Sequence, residues 1–265
     1  MLITSPQNPK IKSLKKLDKA AERREQGVFV IEGLRELCLA DWAGYDITQL
    51  FICEELLDTD EIYNIDKCKL EGTEIYTITK QVYESLAYRG TTEGVIATAR
   101  PKSHALASLT LPAAPLILVI EGVEKPGNLG AMLRTCDAAG VDAVIVCDTQ
   151  TDIYNPNAIR SGIGTVFTNQ IAIASAAEVI SFLKGRNIAT YAADLTATEN
   201  YYHKDFSRPA AIVVGEEATG LSPEWIGAAD ECIMIPMLGK IDSLNVSVSA
   251  AILLYEARRQ RAIQL

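Results

Sequence analysis

No stretch of this 265-residue chain is apolar for the roughly 20 residues that a membrane-spanning helix needs. Met1 to Lys19 alternates apolar residues with lysines and has no hydrophobic stretch ahead of a small-residue cleavage site, so a secretory signal is not expected. Both absences point to the cytoplasm and away from a membrane. Histidine is nearly missing. His104 lies in a Pro-flanked linker and His203 in a polar loop, neither with a partner at metal-ligand spacing, which argues against a zinc site. The six cysteines (Cys38, Cys53, Cys68, Cys136, Cys147 and Cys232) form no CxxC, and most fall in apolar stretches. Buried thiols in a reducing compartment are expected, without disulfides or metal. No G-x-G-x-x-G is present and no P-loop Lys-Ser/Thr follows a glycine loop, so a dinucleotide-binding dehydrogenase is poorly supported. No internal repeat is seen.

What is present begins with charge. The net charge of −9 argues against indiscriminate nucleic-acid binding. Its distribution is uneven. Residues 1–26 carry seven basic residues (Lys10, Lys12, Lys15, Lys16, Lys19, Arg23, Arg24) against three acidic ones. A basic arm on an acidic body suits a protein that touches phosphates in one place. The bland alternative is a solvated helix face.

Asn8 to Glu25 reads as one amphipathic helix, with Ile11, Leu14, Leu17 and Ala21 at helical spacing. Strands are expected at 28–31, 49–53, 74–78 and 94–99, with helices at about 34–42 and 80–88. That alternation implies a small α/β domain over residues 1–100. Pro101, Pro112 and Pro115 mark residues 101–115 as a linker. Residues 116–265 are bolder. Leu116–Ile120 is a continuous apolar run, as in a strand buried on both faces of a parallel sheet. Similar runs lie at 143–147, 188–193, 211–214 and 232–235. Helical stretches at 128–139, 176–185 and 245–260 separate most of them, so the fold class is α/β with a mostly parallel sheet.

Three segments carry chemistry. The first, Glu121 to Gly130, joins a strand to a helix, and loops at the carboxyl ends of parallel strands are where open α/β sheets bind ligands. Asn128 can cap that helix. Leu129, Met132, Leu133 and Cys136 form its buried stripe, and Arg134 lies off it. Taken singly, Asn128 is a plain cap and Arg134 a surface charge. The second, Gly215-Glu216-Glu217-Ala218-Thr219-Gly220-Leu221, brackets an acidic pair with glycines that let backbone pass close to a ligand. A turn with solvated acids is the alternative. The third runs from Ile235-Pro236-Met237 to Ser243-Leu244-Asn245-Val246-Ser247, where Ser243 or Asn245 can cap the last helix. Seven of the nine residues from Val246 to Leu254 are apolar. A helix that apolar is expected to be buried on several sides, under an enclosing loop or a neighbouring subunit.

Together these segments resemble the three motifs of the SpoU/TrmH methyltransferases. Asn128, Gly130 and Arg134 match the first motif; Gly215, Glu217, Gly220 and Leu221 the second; Ile235 to Met237 and Ser243 to Ser247 the third. Order and spacing agree over about 145 residues, Leu116 to Arg261. Asn155-Pro156, Arg160, Gly164 and Phe167 resemble a further stretch of that family, and Glu93-Gly94-Val95 the end of its N-terminal substrate-binding domain. Lys125 stands where Asp is frequent and Gly162 where Ser is common.

The resemblance implies an S-adenosylmethionine-dependent RNA 2′-O-ribose methyltransferase. It implies a homodimer and a C-terminal deep trefoil knot, preceded by a small α/β RNA-binding domain. It places the cofactor on backbone at Gly215, Ile235 and Leu244. Catalytic roles fall to Arg134, Asn128, Glu217, Ser243 and Asn245. Arg134 is the centre: a phosphate that it holds accepts the ribose proton, or Arg134 itself is deprotonated in the assembled site. RNA phosphates fall to Lys10, Lys12, Lys15, Lys16, Arg23 and Arg24. The separate N-terminal domain favours ribosomal RNA over tRNA. A non-catalytic RNA-binding or assembly factor that kept the fold is the other alternative, though it has no need of all five catalytic positions.

Overall fold

The computed structural model describes residues 1–87, 93–148, 151–216 and 219–262. The chain divides into two units, Met1–Lys102 with Asp152–Thr168, and Ser103–Thr151 with Asn169–Leu265.

The first unit opens with β1 (Leu2–Ile3), α1 (Pro9–Lys16), α2 (Ala20–Gln26), β2 (Phe29–Glu32) and α3 (Leu34–Trp42). It continues with β3 (Ile47–Ile52), α4 (Thr59–Asp66), β4 (Glu74–Ile78), α5 (Lys80–Glu84) and β5 (Val95–Ala99). The sheet order is β1-β4-β3-β5-β2. β4 is parallel to β1 and β3, while β5 runs antiparallel to β2 and β3. Asn8 caps α1 by accepting the Lys10 N–H at 2.9 Å, with Pro9 pre-set for the first turn. Ile11, Leu14 and Leu17 bury against Phe51, Tyr76, Ile78, Val82 and Ile96.

The single helix expected over residues 8–25 is two. Lys19 is extended (φ −91°, ψ 131°) between α1 and α2. Arg23 explains the break. Its guanidinium donates to the carbonyls of Leu17 (2.7 Å) and Asp18 (2.9 Å), which a continuous helix would have used itself. Its Nε pairs with Asp152 at 2.8 Å. At 4% exposure Arg23 is a buried structural cation and not a phosphate contact, which corrects the expectation. Ala21, expected on the apolar stripe, is exposed because α2 restarts in a new phase.

The second unit contains β6 (Leu116–Glu121), α6 (Pro126–Ala139) and β7 (Ala143–Cys147). Between β7 and β8 the sequence carries α7 (Pro156–Ser161), which belongs to the first unit. The second unit resumes with β8 (Ile171–Ala174), α8 (Ala176–Gly185), β9 (Ala189–Ala193), β10 (Ala210–Val214), α9 (Pro223–Ala228), β11 (Glu231–Ile233) and α10 (Val246–Ala262). Its six described strands are all parallel, in the order β11-β9-β10-β6-β7-β8. One face packs α8 and Trp225 of α9 against Ile117, Val119, Ile145, Ala211 and Val213. α6 and α10 pack on each other, and α10 on β6 and β10.

Residues 101–115 are not a free spacer. Leu106, Leu109 and Leu111 pack on the second unit's core, and His104 accepts the Ile173 N–H of β8 through its carbonyl at 2.7 Å. Within the chain α10 buries one stripe only, Val246, Ala250, Leu253, Leu254 and Ala257, while Val248 and Tyr255 are 46% and 52% exposed. The expected burial on several sides is therefore met on one.

Sequence order puts residues 152–168 in the second domain, but they fold into the first unit. Tyr154 stacks on Phe29 at 4.1 Å, and Phe167 packs edge-on to Tyr45 at 5.1 Å. α7 ends in a Schellman motif: Gly164 N–H donates to Ile159 carbonyl and Ile163 N–H to Arg160 carbonyl. The left-handed position, usually glycine, is Ile163 at φ +50°. A side chain there costs about 1–2 kcal/mol. Ile163→Gly is therefore expected to denature at a higher midpoint than Ile163→Ala, by about 1 kcal/mol, reversing the usual helix ranking of these residues. Equal midpoints in urea titrations would show the strain to be relieved elsewhere.

Candidate active site

The order of the second sheet reverses beside β6, with β7 and β8 on one side and β10, β9 and β11 on the other. Ligands of open parallel sheets bind outside the carboxyl ends of the strands at such a point. Because β6 and β10 are neighbours, the loops that follow them meet. Glu121, 7% exposed at the end of β6, accepts the Ser222 N–H at 2.8 Å. A Cβ on Gly122 would lie 3.6 Å from the Cβ of Glu216.

Asn128 does not cap α6. The helix starts earlier, at Pro126, with Lys125 in the cap position and no side-chain cap bond. Asn128 instead reaches across the site, where its Oδ1 accepts from Asn245 Nδ2 at 3.2 Å. Its Nδ2 is buried with no partner among the described residues. Leu129, Met132, Leu133 and Cys136 are buried as their spacing predicts. Arg134 is exposed on α6 and makes no hydrogen bond or ion pair among the described residues.

After β10 the chain closes a tight bridge. Glu216 N–H donates to Gly220 carbonyl at 3.1 Å and Gly220 N–H to Glu216 carbonyl at 2.9 Å, while Thr219 Oγ1 donates to Glu216 Oε2 at 2.7 Å. Glu217 lies outside the described residues. In the third segment Asn245 caps α10, its Oδ1 accepting from Ser247 N–H (3.0 Å) and Oγ (2.6 Å). Ser243 is exposed and donates to Asp242 at 3.2 Å.

A cavity of about 280 Å³ opens at the carboxyl ends of β9, β10 and β11. Gly215, Ile235 and Leu244 all line it, and Ser243 stands with them. Asn128, Asn245 and Arg134 are not in its walls. The structure thus joins four of the expected residues at one cavity and two by a hydrogen bond, and leaves Arg134 on open surface.

A family model described as the SpoU rRNA Methylase family matches residues 115–255. The chain belongs to that family. A second model, the MRM3-like substrate binding domain, matches residues 8–97 of this SpoU methylase. The Bacillus subtilis 23S rRNA (guanosine(2553)-2'-O)-methyltransferase RlmP is 31% identical, over 97% of this chain and 98% of its own length. The crystal structure of an RNA 2'-O ribose methyltransferase superposes with TM-score 0.87 at 40% identity, covering 99% of this chain and 100% of the other. AviRb, a SpoU methyltransferase of Streptomyces viridochromogenes in complex with AdoMet, gives TM-score 0.89 at 25% identity over 97% and 99% of the two chains.

Other walls of the SpoU methylase cavity escape a reading of motifs. Asp194, Leu195 and Thr196 follow β9, and Thr219 and Ser249 complete the rim. The signal for the first three was available: they lie directly beyond the apolar run ending at Ala193, at the carboxyl end of a parallel strand. Of the basic residues on the first unit, Lys12, Lys15, Lys16 and Arg24 are exposed. Lys10 is half-buried and paired with Glu74 at 3.1 Å. Hydrogen bonds from Tyr76, then Gln49 and Lys10, hold the Glu74 carboxyl down at about 2, so Lys10 keeps an ionised partner.

Proposed function

We propose that this chain transfers the methyl group of S-adenosylmethionine to a ribose 2′-hydroxyl of ribosomal RNA. The observation that carries the reading is the convergence of Gly215, Ile235 and Leu244 on one cavity at the carboxyl ends of parallel strands. The cavity fits the cofactor in kind. Its size is near the lower end of the roughly 300–1,000 Å³ typical of ligand sites. Leu195, Val214, Ile233, Met237 and Val246 give apolar walls for an adenine. The backbone groups of Ile235 and Leu244 make no hydrogen bond among the described residues, so they are available to the base and ribose. The relatives' names and the cofactor bound in AviRb agree with this assignment.

Bound S-adenosylmethionine supplies an electrophilic methyl on a sulfonium that is itself the leaving group. The chain's own residues have to hold, align and neutralise. Backbone at Gly215, Ile235 and Leu244 grips the cofactor. Asn128, fixed by Asn245 and with Nδ2 unpaired, orients the ribose or the Arg134 guanidinium. Arg134 holds an RNA phosphate against the site through its planar guanidinium fork and stabilises the charge that grows on the ribose oxygen. Ser243 hydrogen-bonds substrate, and Glu217 steadies Arg134 or its own loop. The segment from Ile235 to Asn245 forms the threaded part of a trefoil knot. Two copies pair through the exposed side of α10, where Val248 and Tyr255 stand free in the single chain. As an enzyme of ribosomal RNA the protein works in the cytoplasm; separately, no described helix is long and apolar enough to cross a membrane.

The first unit grips RNA through Lys12, Lys15, Lys16 and Arg24. Replacing these four with glutamine is expected to weaken RNA binding and to flatten the plot of log affinity against log salt by roughly three. A wild-type slope in filter-binding assays would place the RNA elsewhere.

The test of the function is mass spectrometry of ribosomal RNA from cells lacking the gene. Loss of one ribose methylation, restored by the wild-type gene, is expected. An unchanged ribosomal map with a mark missing from tRNA would move the substrate. No missing mark, together with no cofactor binding by the purified protein, would leave a non-catalytic RNA-binding protein.

A further inference from the structure

The methyl-transfer reading uses none of the cysteines. Cys53, Cys136 and Cys147 are buried, as their apolar surroundings predict. Cys38 and Cys68 are different. Both are half-buried, and their Sγ atoms lie 4.0 Å apart although 30 residues separate them in sequence. Cys38 is on α3 and Cys68 two residues beyond α4. α3 packs on α4, and Asp41 Oδ1 accepts the Lys69 N–H at 3.0 Å, which pins the turn carrying Cys68 against α3. Apart from each other, the sulfurs have one neighbour in hydrogen-bond range among the described residues, the Asn64 carbonyl at 3.5 Å from Cys68.

We propose that Cys38 and Cys68 are a modification site, a dithiol that hydroperoxides oxidise to a disulfide across the first unit. The sulfurs need to close from 4.0 Å to about 2.05 Å. Cys68 sits on an irregular turn, where a side-chain rotation can supply that movement without unwinding a helix. Both residues are partly exposed, unlike the three buried cysteines.

The chemistry balances with peroxide as the named oxidant. The Cys38 sulfur attacks one oxygen of hydrogen peroxide, the O–O bond breaks, and the released hydroxide takes the Cys38 proton and leaves as water, giving a sulfenic acid. The Cys68 sulfur then attacks the Cys38 sulfur, the S–O bond breaks, and the hydroxide takes the Cys68 proton as a second water. Two thiols lose two electrons and two protons, and one peroxide becomes two waters. Burial first, and then the adjacent Cys38, push the Cys68 thiol up to about 12. Cys68 thus keeps its proton through the first step and gives it up only to the hydroxide released in the second.

The experiment uses the full chain treated with excess hydrogen peroxide, then alkylated with iodoacetamide and digested. The expected product is a peptide pair joined through Cys38 and Cys68, lighter than the two thiols by about 2 Da and released by dithiothreitol. Thermal denaturation should shift upward on oxidation and back on reduction, because the bond closes a long loop in the unfolded chain. Cys38→Ser should abolish the cross-link while binding S-adenosylmethionine as wild type does, which shows the variant folded. Recovery of both cysteines alkylated after peroxide would overturn the proposal. So would stepwise oxygen addition at Cys38 with no cross-link, or cross-links to other cysteines.

Discussion

Alanine in place of Gly215 is expected to abolish S-adenosylmethionine binding while the chain stays folded. A Cβ at this position would sit 2.3 Å from the Gly220 carbonyl oxygen, 2.4 Å from its carbon and 2.5 Å from the Leu221 nitrogen. All three are backbone atoms, so no side-chain rotation relieves the clash. The Glu216–Gly220 bridge must open, and with it move Glu216, Thr219 and Gly220, which line the cavity. Losing two backbone hydrogen bonds costs about 1–3 kcal/mol, or roughly tenfold to a hundredfold in affinity before any cofactor contact is counted. Gly227 supplies the control. It lies on α9, and a Cβ there meets nothing within 4 Å. Gly227→Ala should bind like wild type, with a slight gain in helix stability. Titration calorimetry separates the two, and wild-type affinity in Gly215→Ala would detach this loop from the cofactor.

Arg134→Lys is expected to lower turnover by about a hundredfold or more, equivalent to about 2.7 kcal/mol or more of transition-state stabilisation, with cofactor affinity unchanged. Lysine keeps the charge but loses the planar fork that holds a phosphate with two parallel bonds. Structural damage is not the expected cause, because Arg134 is exposed and bonded to no described residue. The pair of measurements decides the matter: single-turnover methyl transfer for the chemistry, calorimetry for the cofactor. Wild-type turnover would take Arg134 out of the reaction. A parallel loss of cofactor binding would make it a binding residue.

The centre of the second unit's sheet was legible because β6, β7 and β10 are buried on both faces. Runs such as Leu116–Ile120 and Ala211–Val214 have no competing pattern. β8 was not legible, for the opposite reason. Ile171–Ala174 is a four-residue edge strand with Ile173 open to solvent, too short and too mixed to stand out. The cavity residues Gly215, Ile235 and Leu244 were found through the family motifs, since no periodicity distinguishes a backbone that holds a ligand from one that merely turns. Asn128 shows the limit of local rules. A helix-starting asparagine reads as a cap, and only the three-dimensional approach of Asn245, 117 residues away, gives its side chain another partner. Arg23 shows the same limit for charge. Its sequence neighbours make it look like one more surface cation, and the counter-ion that buries it is Asp152, 129 residues away.

That last pairing bears on how the protein can be cut and recombined. The substrate-binding model ends at residue 97, which invites treating the first hundred residues as a portable module. The unit to which they belong is discontinuous. A fragment ending at Lys102 would leave Arg23 charged in a buried place without Asp152, and Phe29 without the ring of Tyr154. Grafting the piece matched by the substrate-binding model onto another enzyme, by gene fusion in the laboratory or by exon-like exchange in evolution, therefore requires carrying along a second, distant stretch of the gene. Its inheritance is tied to that of the catalytic segment that encloses it in sequence.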